Sequence, residues 1–188
     1  DRRMVEAYGK HPWAQKALLA RRLVEAGVAF VSIDLSHHRA SGTWDTHGDK
    51  FPPYGGIVSG LKPLLPVFDH LYSTLITDLK ERGLLDEVLV VAMGEFGRTP
   101  KVLTQQPPGR QHWPQCFSAI LAGSGIRGGA VYGKSDKIGA YPESNPVHPQ
   151  DIHATVLHAM GIPLNEAADN SGIARPLTAG KPIYDLFG

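Results

Sequence analysis

A chain of 188 residues with 42% hydrophobic content can bury one sizeable core, and that ordinary composition excludes a fibre or a disordered tail. Lys and Arg (19) nearly balance Asp and Glu (18), and no basic stripe is interleaved with aromatics, so nucleic acid is not expected as a partner. The single cysteine, Cys116, excludes an internal disulfide framework and reads as packing within an apolar run. No apolar run reaches the roughly 18 residues that span a bilayer, and no signal-peptide pattern opens the chain.

The first residues, DRRMVEAYGK, run straight into helical sequence without a start methionine, so the chain is expected to be part of a larger parent. From Trp13 to Ala26, Ala14, Ala17, Leu18, Leu23 and Val24 recur at helical spacing, with Pro12 suited to a first turn and Gly27 to a stop. Val28 to Ile33 is apolar and β-branched and predicts a buried strand, followed by Asp34, His37 and His38. The next stretch, RASGTWDTHGDKFPPYGG, is too long and too rich in Gly and Pro for a plain connection, which favours a functional loop.

Ile57, Leu61, Leu64, Leu65, Phe68, Leu71, Leu75 and Leu79 then carry a helical pattern. Pro63 and Pro66 should interrupt it, which places the continuous helix at about Pro66 to Arg82. Val88 to Met93 is a short, continuous apolar run that predicts a strand buried on both faces, as in parallel sheets covered by helices. Cys116 to Ala122 reads as a third buried strand, and Ala130 to Lys134 as a short edge strand. The segment VHPQDIHATVLHAMGI, with Pro149 near its start and Gly161 at its end, predicts a helix. The turn-rich tail closes on Ile183, Tyr184, Leu186 and Phe187 as a packed end. This alternation of helices and strands predicts one domain over 1–188, an α/β fold with a mostly parallel sheet flanked by helices on both faces.

In open α/β sheets, ligands bind beyond the carboxyl ends of the strands, and the loop after Met93 carries Glu95, Arg98, Arg110 and His112. Asp45 and His47 stand two residues apart, so an extended loop would point both to one side, which suits a shared divalent metal. With Glu95 and His112 they form a candidate metal set of nitrogen and oxygen donors from separate loops. Arg98 and Arg110 are candidate catalytic residues, because a guanidinium fork matches the oxygens of phosphate or sulfate. Each of these residues also has a plain structural role to set against this: a capping glutamate, or an arginine in a surface ion pair. For His148, Asp151, His153 and His158 the structural role is preferred: Asp151 can stabilise a helix N-terminus by charge, and His153 and His158 are five apart, on different helix faces.

The phrases ARRLVEAGVAFVSI, WDTHGD, DLKERGLLDEVLVVAMGEFGRTPKV, GRQHWPQCFSAILAGSGIRGG and VHPQDIHATVLHAMGI together resemble the bacterial sulfatase-like family catalogued as domain of unknown function 1501, placed in the alkaline phosphatase superfamily. The resemblance extends to about Ile162 and implies an alkaline-phosphatase-like sandwich. It further implies metal-dependent hydrolysis of sulfate or phosphate esters, with Asp45, His47, Glu95 and His112 at metal positions and zinc, manganese or calcium as the cation. Gln111 stands where the family's Gly-Arg-Asp-His phrase has aspartate, and a neutral amide is the weaker ligand for a hard cation. By the same resemblance the nucleophile and a metal-bridging aspartate belong to an N-terminal part outside this chain, the substrate is a small-molecule or glycan ester, and the parent is exported. The alternative is a non-catalytic binding or scaffold module that keeps the fold and has lost the chemistry.

Overall fold

The computed structural model describes residues 2–36, 43–48, 55–104, 109–165 and 176–188. His37 and His38, which follow the Val28 to Ile33 run, lie outside the described residues. In chain order the elements are α1 (Arg2–Tyr8), α2 (Pro12–Glu25), a π-helical turn (Ile57–Leu61), α3 (Lys62–Glu81), β1 (Val90–Met93), β2 (Gly97–Arg98), β3 (His112–Trp113), β4 (Ala119–Ala122), β5 (Lys134–Ser135), β6 (Pro142–Ser144), α4 (Pro149–Ala159) and a 3-10 turn (Tyr184–Leu186). The chain divides into two compact units, one of Asp1–Leu84 with Phe96–Phe117 and the other of Leu85–Glu95 with Ser118–Gly188. Among the described residues no helix is long and apolar enough to cross a membrane.

In the first unit α2 starts where His11 caps it, its Nδ1 accepting from the Trp13 amide, and Pro12 fits the first turn because its missing N–H is not needed there. Gly27, at φ 92°, lets the helix end with the Val28 amide returning to the Leu23 carbonyl. α3 begins earlier than its prolines predict. Pro66 lies inside it, where it has no N–H to give the Lys62 carbonyl one turn earlier, and the wider π-helical turn precedes the helix.

The buried faces of these helices bring together Tyr8, Trp13, Ala14, Ala17, Leu18, Leu64, Leu71, Leu75 and Leu79. Within this core sits an ionic cluster. Asp78, 1% exposed, accepts from Arg21 Nε at 2.7 Å, Arg82 Nε at 2.7 Å and the Tyr8 hydroxyl at 3.1 Å. Burial pushes the Asp78 carboxyl up, but the hydrogen bonds from Arg82, Tyr8 and Arg21 outweigh it and hold the group below the usual carboxylate range. Burial, reinforced by the Asp78 charge, raises the Tyr8 phenol.

In the second unit β1 and β4 pair antiparallel, Val90 opposite Ala122 through Met93 opposite Ala119. β5 and β6 form another antiparallel ribbon. α4 opens with Asp151 accepting from the His148 amide, as its position predicts, and Asp151 also accepts from the Lys181 amide. These two bonds, first Lys181 and then His148, hold its carboxyl below the ordinary value. Buried Thr155 donates to the Asp151 carbonyl and accepts from the Ile183 amide, which ties the tail to the helix. Gly161, at φ 70°, ends the helix as its position predicts. The packed tail is only partly realised: Ile183 is buried, while Tyr184 is 62% exposed.

The expected parallel sheet, flanked on both faces, is not what the chain forms. The structure is mixed α/β, and among the described residues the strands form three two-stranded antiparallel sheets. Parallel pairing needs a crossover of a dozen or more residues, usually a helix. Between β1 and β4 the described residues hold only turns and the β2–β3 ribbon, so the chain returns antiparallel. The expected burial fails with it, since Met93 is 47% and Ile120 46% exposed. Val28 to Ile33 has strand-like residues but forms no strand, with Phe30 68% exposed. β propensity describes a fit to a pleated, half-buried surface and cannot supply the neighbouring strand.

Candidate functional site

Three segments of the first unit meet around His47. The Asp45 carboxylate takes two bonds from His47, one from its amide at 2.9 Å and one at 2.5 Å from Nδ1. The two side chains therefore do turn to one side of the loop. Because an ionised carboxylate only accepts, this contact places the imidazole proton on Nδ1 and leaves the Nε2 lone pair for other chemistry. Burial raises the Asp45 carboxyl, but the two hydrogen bonds from His47, aided by the nearby Arg98 charge, outweigh it and hold the group below its ordinary value.

The second and third segments are the β2–β3 ribbon, in which Arg98 stands opposite His112. Directly opposed residues share a face, and Phe96 stands immediately before β2. Arg98 Nη1 lies 3.5 Å from both His47 ring nitrogens, an equal spacing that fits a cation against the ring better than a bond to either lone pair. The His47 and His112 rings are 4.7 Å apart, Phe96 lies 4.1 Å from His112, and the Arg98 guanidinium sits 5.5 Å from the Phe96 ring centre. The result is one partly exposed cluster of two imidazoles, a guanidinium, a carboxylate and a phenyl ring.

Backbone contacts fix this convergence. The Arg110 amide donates to the Thr46 carbonyl at 2.5 Å, and the hydroxyl of Thr46, itself 4% exposed, donates to the Arg110 carbonyl at 3.3 Å. Gly109 lets the two segments come this close, because a methyl group there would lie 2.4 Å from the His47 carbonyl carbon and 2.5 Å from the Gly48 nitrogen. Gly97 is equally confined, with the Cys116 carbonyl oxygen 2.1 Å from where its Cβ would stand.

Of the residues singled out by sequence, Asp45, His47, Arg98 and His112 are brought together. Arg110 joins through its backbone. Glu95 is exposed and closes the first segment of the second unit. Gln111 is exposed too, and its main chain exchanges bonds with Thr99. His148 heads α4, His153 is exposed, and His158 packs at 5.1 Å on Tyr184 and 5.2 Å on Phe187. Thr46, Phe96, Thr99 and Gly109 belong to the cluster and were not singled out. The one sequence signal among them is Gly109, following two prolines.

Two shallow depressions of the first unit, one bordered by Tyr8, His11, Pro66 and His70 and the other by Arg3, Asp78 and Arg82, include none of the cluster residues. For a divalent cation the cluster offers two imidazoles and a carboxylate already engaged by one of them. Among the described residues no group of three or more His, Cys, Asp or Glu side chains is gathered so as to hold a metal ion. Two imidazoles are one short of the three protein ligands of a catalytic zinc.

Fold and cluster together define a mixed α/β protein with an Asp–His–Arg site on paired backbone segments. The chain belongs to the family described as protein of unknown function (DUF1501), whose model matches residues 1–187. No curated protein and no solved structure matches it.

Proposed function

We propose that the chain belongs to a hydrolase of sulfate or phosphate esters and contributes its oxyanion-binding and proton-handling residues. The observation that carries this reading is the Asp45–His47 bond with Arg98 Nη1 3.5 Å from the same imidazole. Arg98 provides paired N–H donors and a permanent charge for the non-bridging oxygens of the ester. His47, oriented through Nδ1, accepts a proton at Nε2 from an attacking water whose oxygen bonds to phosphorus or sulfur as the ester oxygen departs. Asp45 balances the charge that His47 then carries, and Arg98 neutralises charge gathering on the transferred group.

The test is binding and turnover by the purified protein. Inorganic phosphate should bind wild type and bind Arg98→Ala about tenfold more weakly, the effect of losing one charge-assisted contact. Hydrolysis of aryl phosphates or aryl sulfates should fall on His47→Gln. Loss of turnover with a chelator, and its return with zinc or manganese, would add the divalent cation that the family resemblance implies. The second reading, a binding module without chemistry, is favoured by the incomplete ligand set. Phosphate binding with no turnover under any metal would establish it in place of the first.

A further inference from the structure

Trp44 occupies a backbone conformation, φ 60°, that bulky side chains rarely adopt and that persists only where surroundings hold it. The surroundings are specific. Its indole stacks on Trp13 of α2 at 5.4 Å and 16°, while Phe68 of α3 meets it edge-on at 6.3 Å and 87°. Its Nε1 donates to the Leu35 carbonyl at 2.8 Å. Phe68 is backed in turn by Tyr72 at 5.7 Å, and Trp13 is 4% exposed. Three separate parts of the first unit thus fix one ring, and the next residue along the chain is Asp45.

We infer that Trp44 is the positioning residue of the Asp45–His47 pair, transmitting the packing of α2 and α3 to the loop that carries it. With Trp44 in an extended conformation the chain would leave in another direction, and the Asp45 carboxylate would no longer turn back onto the His47 amide and ring. Thr46, strapped to Arg110, anchors the loop beyond Asp45, so the pair is held from both sides. Trp44 itself touches no reacting group. The inference takes its functional meaning from the hydrolase reading, but its geometry stands apart from any turnover.

The test reads the Asp45–His47 bond directly, as the downfield proton resonance of His47 Nδ1–H, assigned by its disappearance in His47→Gln. Trp44→Asn keeps a residue that accepts positive φ and removes only the ring. In that variant the His47 proton should exchange at least about tenfold faster while the amides of α2 and α3 keep their positions, and Trp44→Phe should retain the resonance. A folded Trp44→Asn protein with an unchanged His47 proton overturns the inference. A measurement on wild type needs no variant to fold: His47 Nδ1–H and Trp44 Nε1–H should open together, with protection factors, each taken against its own free side chain, within about threefold. A His47 protection factor about tenfold or more above that of the indole also overturns it. Wild type that shows the coupled protons but binds no inorganic phosphate removes the hydrolase reading and leaves the positioning role intact.

Discussion

Replacing Gly109 by alanine adds one methyl group and should open the site from behind. That methyl would stand 2.4 Å from the His47 carbonyl carbon and 2.5 Å from both the Gly48 nitrogen and the Thr46 carbonyl oxygen. All three are backbone atoms, so no rotamer change relieves the overlap and the 109–110 segment must move off 46–48. Both Thr46–Arg110 hydrogen bonds then lengthen or break. At about 1 kcal/mol for each lost bond, with a further ~1 kcal/mol or more for overpacking and for the buried Thr46 hydroxyl, the change should cost about 3 kcal/mol. For a unit near one hundred residues this corresponds to a fall in Tm of roughly 12–20 °C. Thermal unfolding followed by circular dichroism gives the first number, and hydrogen exchange at the Arg110 amide shows whether the loss is local. A Gly109→Ala protein that melts within about 2 °C of wild type, with its Arg110 amide still protected, would refute the reasoning.

Removing the buried charge in the other half of this unit should be as damaging. Asp78→Ala leaves buried Arg21 with Glu25 as its remaining carboxylate and takes the acceptor from Arg82 and the Tyr8 hydroxyl, and is expected to cost about 3 kcal/mol in denaturant unfolding; a loss below about 1 kcal/mol would count against a structural role for the cluster. The carboxyls of Asp78, Asp45 and Asp151 are all held below their ordinary range in the folded chain. A depressed carboxyl stabilises the fold above its unfolded value, near 4, and that contribution is lost as pH falls below it, so urea midpoints should be flat above about pH 5 and drop towards pH 3. Asp78→Asn should flatten that acid limb, and an unaltered limb would show that other groups cause it. Thr155→Val removes both a donor to Asp151 and the acceptor of the Ile183 amide, so about 1–3 kcal/mol should be lost, with faster exchange at Ile183 as the specific sign.

Much of the helical structure is legible in the sequence because its determinants are local. Pro12, Gly27, Pro149 and Gly161 mark ends that the chain respects within a residue or two, and the period of Ala14, Ala17 and Leu18 names the buried face of α2. The sheet is not legible, because an apolar run such as Val28 to Ile33 carries no statement of its partner. Val88 to Met93 invites a parallel reading from burial alone, and what decides the pairing is the lack of a crossover helix among the described residues of 94–118. At the site, the spacing of Asp45 and His47 is a local signal and their contact follows from it. That Arg98 faces His112, fourteen positions further along the chain, depends on a register that also sets Gly97 opposite Trp113. The role of Trp44 depends on α2 and α3 together and is readable only once they are packed.

The strap between Thr46 and Arg110 spans 64 positions of the chain. Contacts this far apart in sequence are reached only after the entropy of a long loop has been overcome, and local helices form much sooner. During synthesis α1, α2 and α3 can therefore be complete while the imidazole of His47 still lacks Arg98 and His112 beside it. We expect the cluster to be the last part of its unit to mature and the first to come apart under mild denaturant, so that competence is lost before the helical signal declines.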